Sequence, residues 1–201
     1  VILRDVTDKK KSEYLLRKSE RRFRALVGNM KGGIVVEDEN RNIMLTNQVF
    51  CDIFKIPAPP DVLIGSNCSQ SADQVKHLLA DPELFPRRIA EIIEMREVVI
   101  GEEIYFADGQ VYERDYIPVF VDGDSFIGHM WQYRDITQRK KAEEKLKKSE
   151  ERYRAILASI EEGYYEVDLK GNFVFFNDSF SRLHGYKPEE IIGRFHYYDF
   201  F

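Results

Sequence analysis

Between Asp135 and Leu157 the chain is densely charged, yet an apolar or small residue returns every three or four positions. Ala142, Leu146, Ser149, Tyr153, Ile156 and Ile160 follow at spacings of 4, 3, 4, 3 and 4. That is the seam of a helix that pairs with another helix. The segment from Thr137 to Ile160 would be about 36 Å long at about 1.5 Å per residue. A near-copy stands 130 residues earlier without a gap, with Ser12, Leu16, Ser19, Phe23, Leu26 and Met30 in the same places. The seams are short and carry small polar residues, so pairing through them should be marginal. Marginal pairing suits a switch, because a small input can shift its register. The other reading is a helix packed on its own domain.

Between the two charged segments the period changes to that of strands and short helices. Gly33–Asp38 is β-branched, Glu39–Asn42 has turn chemistry, and Ile43–Thr46 completes a hairpin. Asn47 is placed to cap a short helix over 48–54. "PPDVLIG", residues 59–65, fits another helix, with Pro at its start and Gly at its end. Pro82–Glu97 reads as a longer helix with Ile89, Ile92 and Ile93 on one face and Pro86 in its first turn. Three strands follow, Val98–Ala107, Gln110–Val121 and Phe126–Ile136, joined by turns at Asp108–Gly109 and Asp122–Gly123. The order β-β-α-α-α-β-β-β predicts an α+β fold: a five-stranded antiparallel sheet with helices on one face, flanked by long connector helices.

The offset of 130 continues beyond the helices. Gly33 matches Gly163, Asp38 matches Asp168, Asn42 matches Asn172, Asn47 matches Asn177 and Phe50 matches Phe180, while Gly171 stands opposite Arg41. The predicted organisation is the end of one unit (1–7), a connector helix (8–30), a complete domain (31–137), a second connector (138–160) and the opening of another domain (161–201). In that last segment three of five strands are missing, so Phe173, Phe175 and Phe176 are expected to have incomplete cover.

The element order, the stretches "VVEDENRNIMLTNQVF" and "YEVDLKGNFVFFNDSFSRLHGYKPEEIIGR", and a last strand ending in "RDIT" together resemble the PAS sensory family. The resemblance covers almost the whole chain. It implies tandem sensory modules of a bacterial two-component sensor histidine kinase or a related signalling protein, with a kinase or cyclase output domain elsewhere in the parent chain. It also implies that Asp135 and Thr137, and Asp5 and Thr7 before them, form a junction that passes a signal into the connector. Thr7 and Thr137 are candidate N-caps, with Asp5 and Asp135 favoured there by the helix dipole. A homodimer through Leu16, Phe23, Leu26, Leu146, Tyr153 and Ile156 is the expected assembly. A module that only spaces or dimerises its neighbours is the rival reading.

Composition narrows the field. Of 201 residues, 43% are hydrophobic and 32% charged, with a net charge of −5, which gives no sign of nucleic acid. The two cysteines, Cys51 and Cys68, have no metal spacing, so free thiols in a reducing, cytoplasmic compartment are expected. No apolar run approaches a membrane span. No phosphate-cradling loop, nucleophile elbow or metal cluster is present in the sequence, so no enzymatic activity is expected of this segment.

The family's strand register implies a polar and aromatic lining. Tyr112, Arg114 and Tyr116 would face inward with His129, Trp131, Tyr133 and Glu37, leaving Glu113 and Asp115 in water. A buried Arg114 needs a partner, either Glu37 or a small anionic metabolite. A filled pocket and a closed aromatic core both remain open. "GSNCSQ", Gly65–Gln70, resembles the flavin-photoreceptor branch at Cys68. The likeness stops at Ser69, which replaces a phosphate-binding arginine, and at Ile104, Tyr112 and Tyr133, which offer a flavin no amide. Haem would need His77, which sits among polar residues. Neither cofactor is expected.

Overall fold

The computed structural model describes residues 7–199, and the chain divides into two compact units, Val1–Lys140 and Lys141–Phe201. The first described element of the first unit is α1 (Thr7–Gly28). Its sheet contains β1 (Gly33–Asp38), β2 (Ile43–Thr46), β3 (Val99–Tyr105), β4 (Val111–Val121) and β5 (Ser125–Asp135). The strand order is β2-β1-β5-β4-β3 and every pairing is antiparallel. Between β2 and β3 run α2 (Gln48–Ile53), α3 (Pro60–Leu63), α4 (Ser71–Val75) and α5 (Leu84–Met95). This is the predicted α+β architecture, and the three last strands and α5 end within two residues of the expected bounds.

Local chemistry explains these elements. In α5, Phe85, Ile89 and Ile92 recur at helical spacing and are buried. Pro86 lies in its first turn, where a missing N–H costs no intrahelical bond. At the β4–β5 turn, Asp122 and Gly123 both have positive φ, 53° and 87°, as tight antiparallel turns demand. The core joins Val35, Ile104, Tyr116, Trp131 and Tyr133 of the sheet to Phe54, Phe85 and Ile92 of the helical layer.

The outer face of β4 departs from expectation. Asp115 is 5% exposed rather than in water. It accepts the Gly101 N–H at 2.8 Å and pairs with Arg134 at 2.8 Å, and Arg134 also reaches Glu113 at 2.6 Å. The strand is covered because a break in β3's register at Val99–Glu102 brings the Gly101 amide over Asp115.

Helix α6 (Thr137–Ser159) leaves β5 directly. In the second unit β6 (Tyr165–Val167) pairs with β7 (Phe173–Phe176), followed by α7 (Asp178–His184) and α8 (Pro188–Ile191). Phe173 and Phe176 are buried, which corrects the expectation of incomplete cover for those two, while Phe175 stays partly open. Phe180 and Ile191 supply the cover, with Tyr165 and Tyr197 packed alongside.

Candidate sensory cavity and junction

A cavity of about 350 Å³ opens between the helices and the inner face of β1, β2 and β5. That lies at the small end of ligand-binding pockets. Val35, Ile43, Phe54, Phe85 and Ile89 make most of its wall apolar. Glu37 and Arg41 are its charged groups, and Ser66, Asn67, Ser71 and Gln74 add neutral polar ones. Period-2 alternation places Val35 and Glu37 of β1 beside their cross-strand partners Trp131 and His129 of β5.

Glu37 is 3% exposed, and its carboxylate accepts from Arg41 Nε and, at 3.4 Å, from Nη2. Arg41 Nη2 also donates to the Cys68 carbonyl at 3.3 Å. Burial raises the Glu37 pKa, and Arg41 only partly opposes it. Arg41 itself has φ +68°, in the left-handed region that costs a non-glycine residue roughly 1–2 kcal/mol. Burial, with Glu37 adding, pushes the Cys68 thiol up to about 11, so it stays protonated. Cys51 and Cys68 are both free and buried.

Three of the residues expected to line the cavity do so: Glu37, Trp131 and Tyr133. Tyr112, Arg114, Tyr116 and His129 point to the same sheet face but lie outside the cavity wall. Tyr112 packs on Phe106 at 4.9 Å between ring centres and Tyr116 on Trp131 at 4.5 Å, so rings fill that end of the sheet. Tyr116 Oη lies 2.9 Å from His129 Nδ1. Burial, assisted by Arg41 and Arg96, pushes the His129 pKa down to about 4.

Arg114 is 1% exposed, as its strand position requires, but its partner is Glu102 rather than Glu37. Arg114 Nε donates to Glu102 Oε2 at 3.0 Å, and Arg88 Nε donates to the other oxygen at 2.6 Å. The guanidinium carbon sits 5.5 Å from the ring centres of both Phe85 and Trp131. Burial favours the neutral Glu102, but the two arginines outweigh it and hold its pKa below the usual carboxylate range. Glu102 thus supplies the carboxylate that was expected from either Glu37 or a small anionic metabolite.

β5 carries the cavity wall straight into the junction. Asp135 Oδ1 accepts the Thr137 N–H at 2.8 Å, so Asp135 caps the first amide of α6 from one residue outside the N-cap position, which Ile136 holds. Thr137 was the expected cap, but its hydroxyl turns to β4 instead. It accepts the Val111 N–H at 3.0 Å and donates to the Val111 carbonyl at 3.4 Å. Arg139 then reaches Glu113 at 3.1 Å, and Lys140 reaches Glu103 at 2.5 Å. The start of α6 is therefore fastened to β3 and β4 as well as continuing β5. In the earlier copy Thr7 opens α1, while Asp5 lies outside the described residues.

Asn47 does more than cap α2. Its Oδ1 accepts from Phe50 N–H at 3.1 Å and Ile34 N–H at 2.9 Å. Its Nδ2 donates to the Val27 carbonyl of α1 at 3.2 Å and to the Gly32 carbonyl at 2.8 Å. Asn177 repeats the pattern with Phe180, Tyr164, Leu157 and Glu162. Each asparagine ties the end of a connector helix to the first strand and helix that follow. Sequence reading found only the cap, because the other three partners are distant backbone groups.

The expected seam residues are exposed: Leu16, Phe23 and Leu26 on α1, and Leu146, Tyr153 and Ile156 on α6. Leu16 is 70% and Leu146 62% exposed. Tyr153 has a second attachment, since its hydroxyl donates to Glu166 and lies 3.3 Å from that of Tyr164. No helix among the described residues is long and apolar enough to cross a membrane.

Two family models, both described as PAS fold, match residues 27–141 and 151–200. Sporulation kinase E of Bacillus subtilis (strain 168) is 27% identical over 194 residues, covering 94% of this chain and 24% of the kinase. The chain therefore spans about a quarter of the length of that curated relative. Among solved structures, the PAS domain of Bordetella pertussis BvgS is 21% identical, with 67% of this chain and 98% of that one covered and a TM-score of 0.47. The PAS domain of an HTR-like protein from Haloarcula marismortui is 20% identical, with 63% and 99% covered and a TM-score of 0.42.

Proposed function

Because the chain belongs to the PAS fold family, we propose that it is the sensory and relay segment of a signalling protein whose output is a histidine kinase. One observation carries the reading: β5 lines the cavity through Trp131 and Tyr133, and Asp135, two residues on, caps α6. A ligand that shifts β5 acts on the cap, on the Thr137–Val111 bonds, and so on the connector helix. Regulation resides in this segment and catalysis in the output domain. The kinase assignment draws on the similarity to Sporulation kinase E. Two copies associate through the exposed seams of α1 and α6, which place a change at the junction in a position to alter pairing. Those seams also favour the second reading, a module that only dimerises.

Filling the cavity tests the choice. Ala72 lines it, and Ala72→Phe should occupy part of the space as a ligand would. The expected result is altered hydrogen exchange at residues 138–141, abolished when Thr137→Val is added. Unchanged exchange at the start of α6, in a variant whose core protection shows the cavity altered, would favour the spacer.

A further inference from the structure

The two units share a hairpin whose details match. Arg41 N–H bonds the Asp38 carbonyl at 3.0 Å, and Gly171 N–H bonds that of Asp168 at 2.9 Å. Asn42 and Asn172 donate backbone and side-chain N–H groups to Asp38 and Asp168 in the same way. Both turn residues have positive φ, 68° for Arg41 and 89° for Gly171. Glycine adopts that conformation without cost, and arginine does not. On the strand, Glu37 of the first unit corresponds to Val167 of the second. The hairpin therefore forms with an apolar strand residue and a glycine turn, and requires neither charge. In the first unit a disfavoured backbone holds an arginine against a buried glutamate, and both line the cavity. Strain held at a cavity points to use of the groups it positions.

The pair is neutral as a whole and sits in a wall that is otherwise mostly apolar. It offers an acceptor and a donor side by side. A ligand with net charge would leave one charge unmatched in a buried site. An amide edge matches both groups without adding charge. We propose that Glu37 and Arg41 form a recognition element for a small uncharged ligand with an apolar body and one carboxamide-like edge. The ligand N–H donates to Glu37 and its carbonyl accepts from Arg41. This rests on the reading of the cavity as a sensory site.

Trp131 is the only tryptophan in the chain and lines the cavity, so its single indole N–H resonance reports occupancy. The 201-residue chain would be titrated with benzamide, benzoate and benzamidine, which share shape but differ in charge, and with toluene as a purely apolar probe. Benzamide is expected to bind about tenfold or more tightly than benzoate or benzamidine, the scale of one buried hydrogen bond won or lost. The double variant Glu37→Val, Arg41→Gly, which installs the second unit's residues, should lose that preference while toluene still shifts Trp131. Tighter binding of benzoate or benzamidine, or a benzamide preference that survives the double variant, overturns the proposal. Toluene shifting Trp131 without any benzamide preference overturns it too, but leaves the cavity as a ligand site. If none of the four probes moves Trp131, the sensory reading fails with it. Should the double variant not fold, the ranking of the three matched probes on the native chain still decides.

Discussion

Arg114 shows how far alternation carries and where it stops. The period of two puts its side chain on the inner face, and there it lies buried. Alternation alone does not name a partner, because that depends on which residue stands across the ladder. The signal is present in the Asp108–Gly109 turn. Pairing outward from it through Tyr105 and Val111 sets Glu102 opposite Arg114. Arg41 is harder to read, since only the glycine at the matching turn marks it as unusual. Glu102→Ala should destabilise the first unit by about 3 kcal/mol, the scale for leaving a buried charge without its partner. Glu102→Gln should cost less, because the amide oxygen still accepts from Arg114. Urea denaturation of the three proteins checks the order; equal midpoints would mean that Arg114 finds another partner.

At the scale of elements, the connector helices are legible as helices, because a spacing of three and four persists for more than five turns. Their caps are ambiguous at one position. Aspartate and threonine both cap, and sequence does not reveal that the Thr137 hydroxyl is taken by the Val111 backbone across 26 residues. The seam can be tested as an element, because its residues are exposed and contribute little to a core. Leu146→Ala with Ile156→Ala should raise the dissociation constant of the self-associated chain several-fold and shift the melting temperature of the second unit, to which both residues belong, by no more than a few degrees. Sedimentation equilibrium alongside calorimetry separates the outcomes. A large fall in melting temperature without a change in association would mean that α6 packs on its own unit.

For the whole molecule, the offset of 130 residues marks two related units in the bare order of amino acids. What it hides is how the second unit covers its aromatic strand. Counting strands suggests a bare sheet face, yet Phe180 and Ile191 close over Phe173 and Phe176. Short helices can cover a two-stranded sheet, a possibility that a tally of strands overlooks. The cover is thin, however. Among the described residues, four buried ones form that core, against fifteen in the main cluster of the first unit. Hydrophobic stabilisation scales with the apolar area removed from water, and a two-stranded sheet is marginal alone. The chain should therefore lose its structure in two steps on heating. Amides of Phe173–Phe176 should exchange measurably slower than an unfolded chain at room temperature, yet lose protection well before those of β4 and β5. A single cooperative transition, with both sets of amides released together, would show that the small core draws stability from outside its own unit.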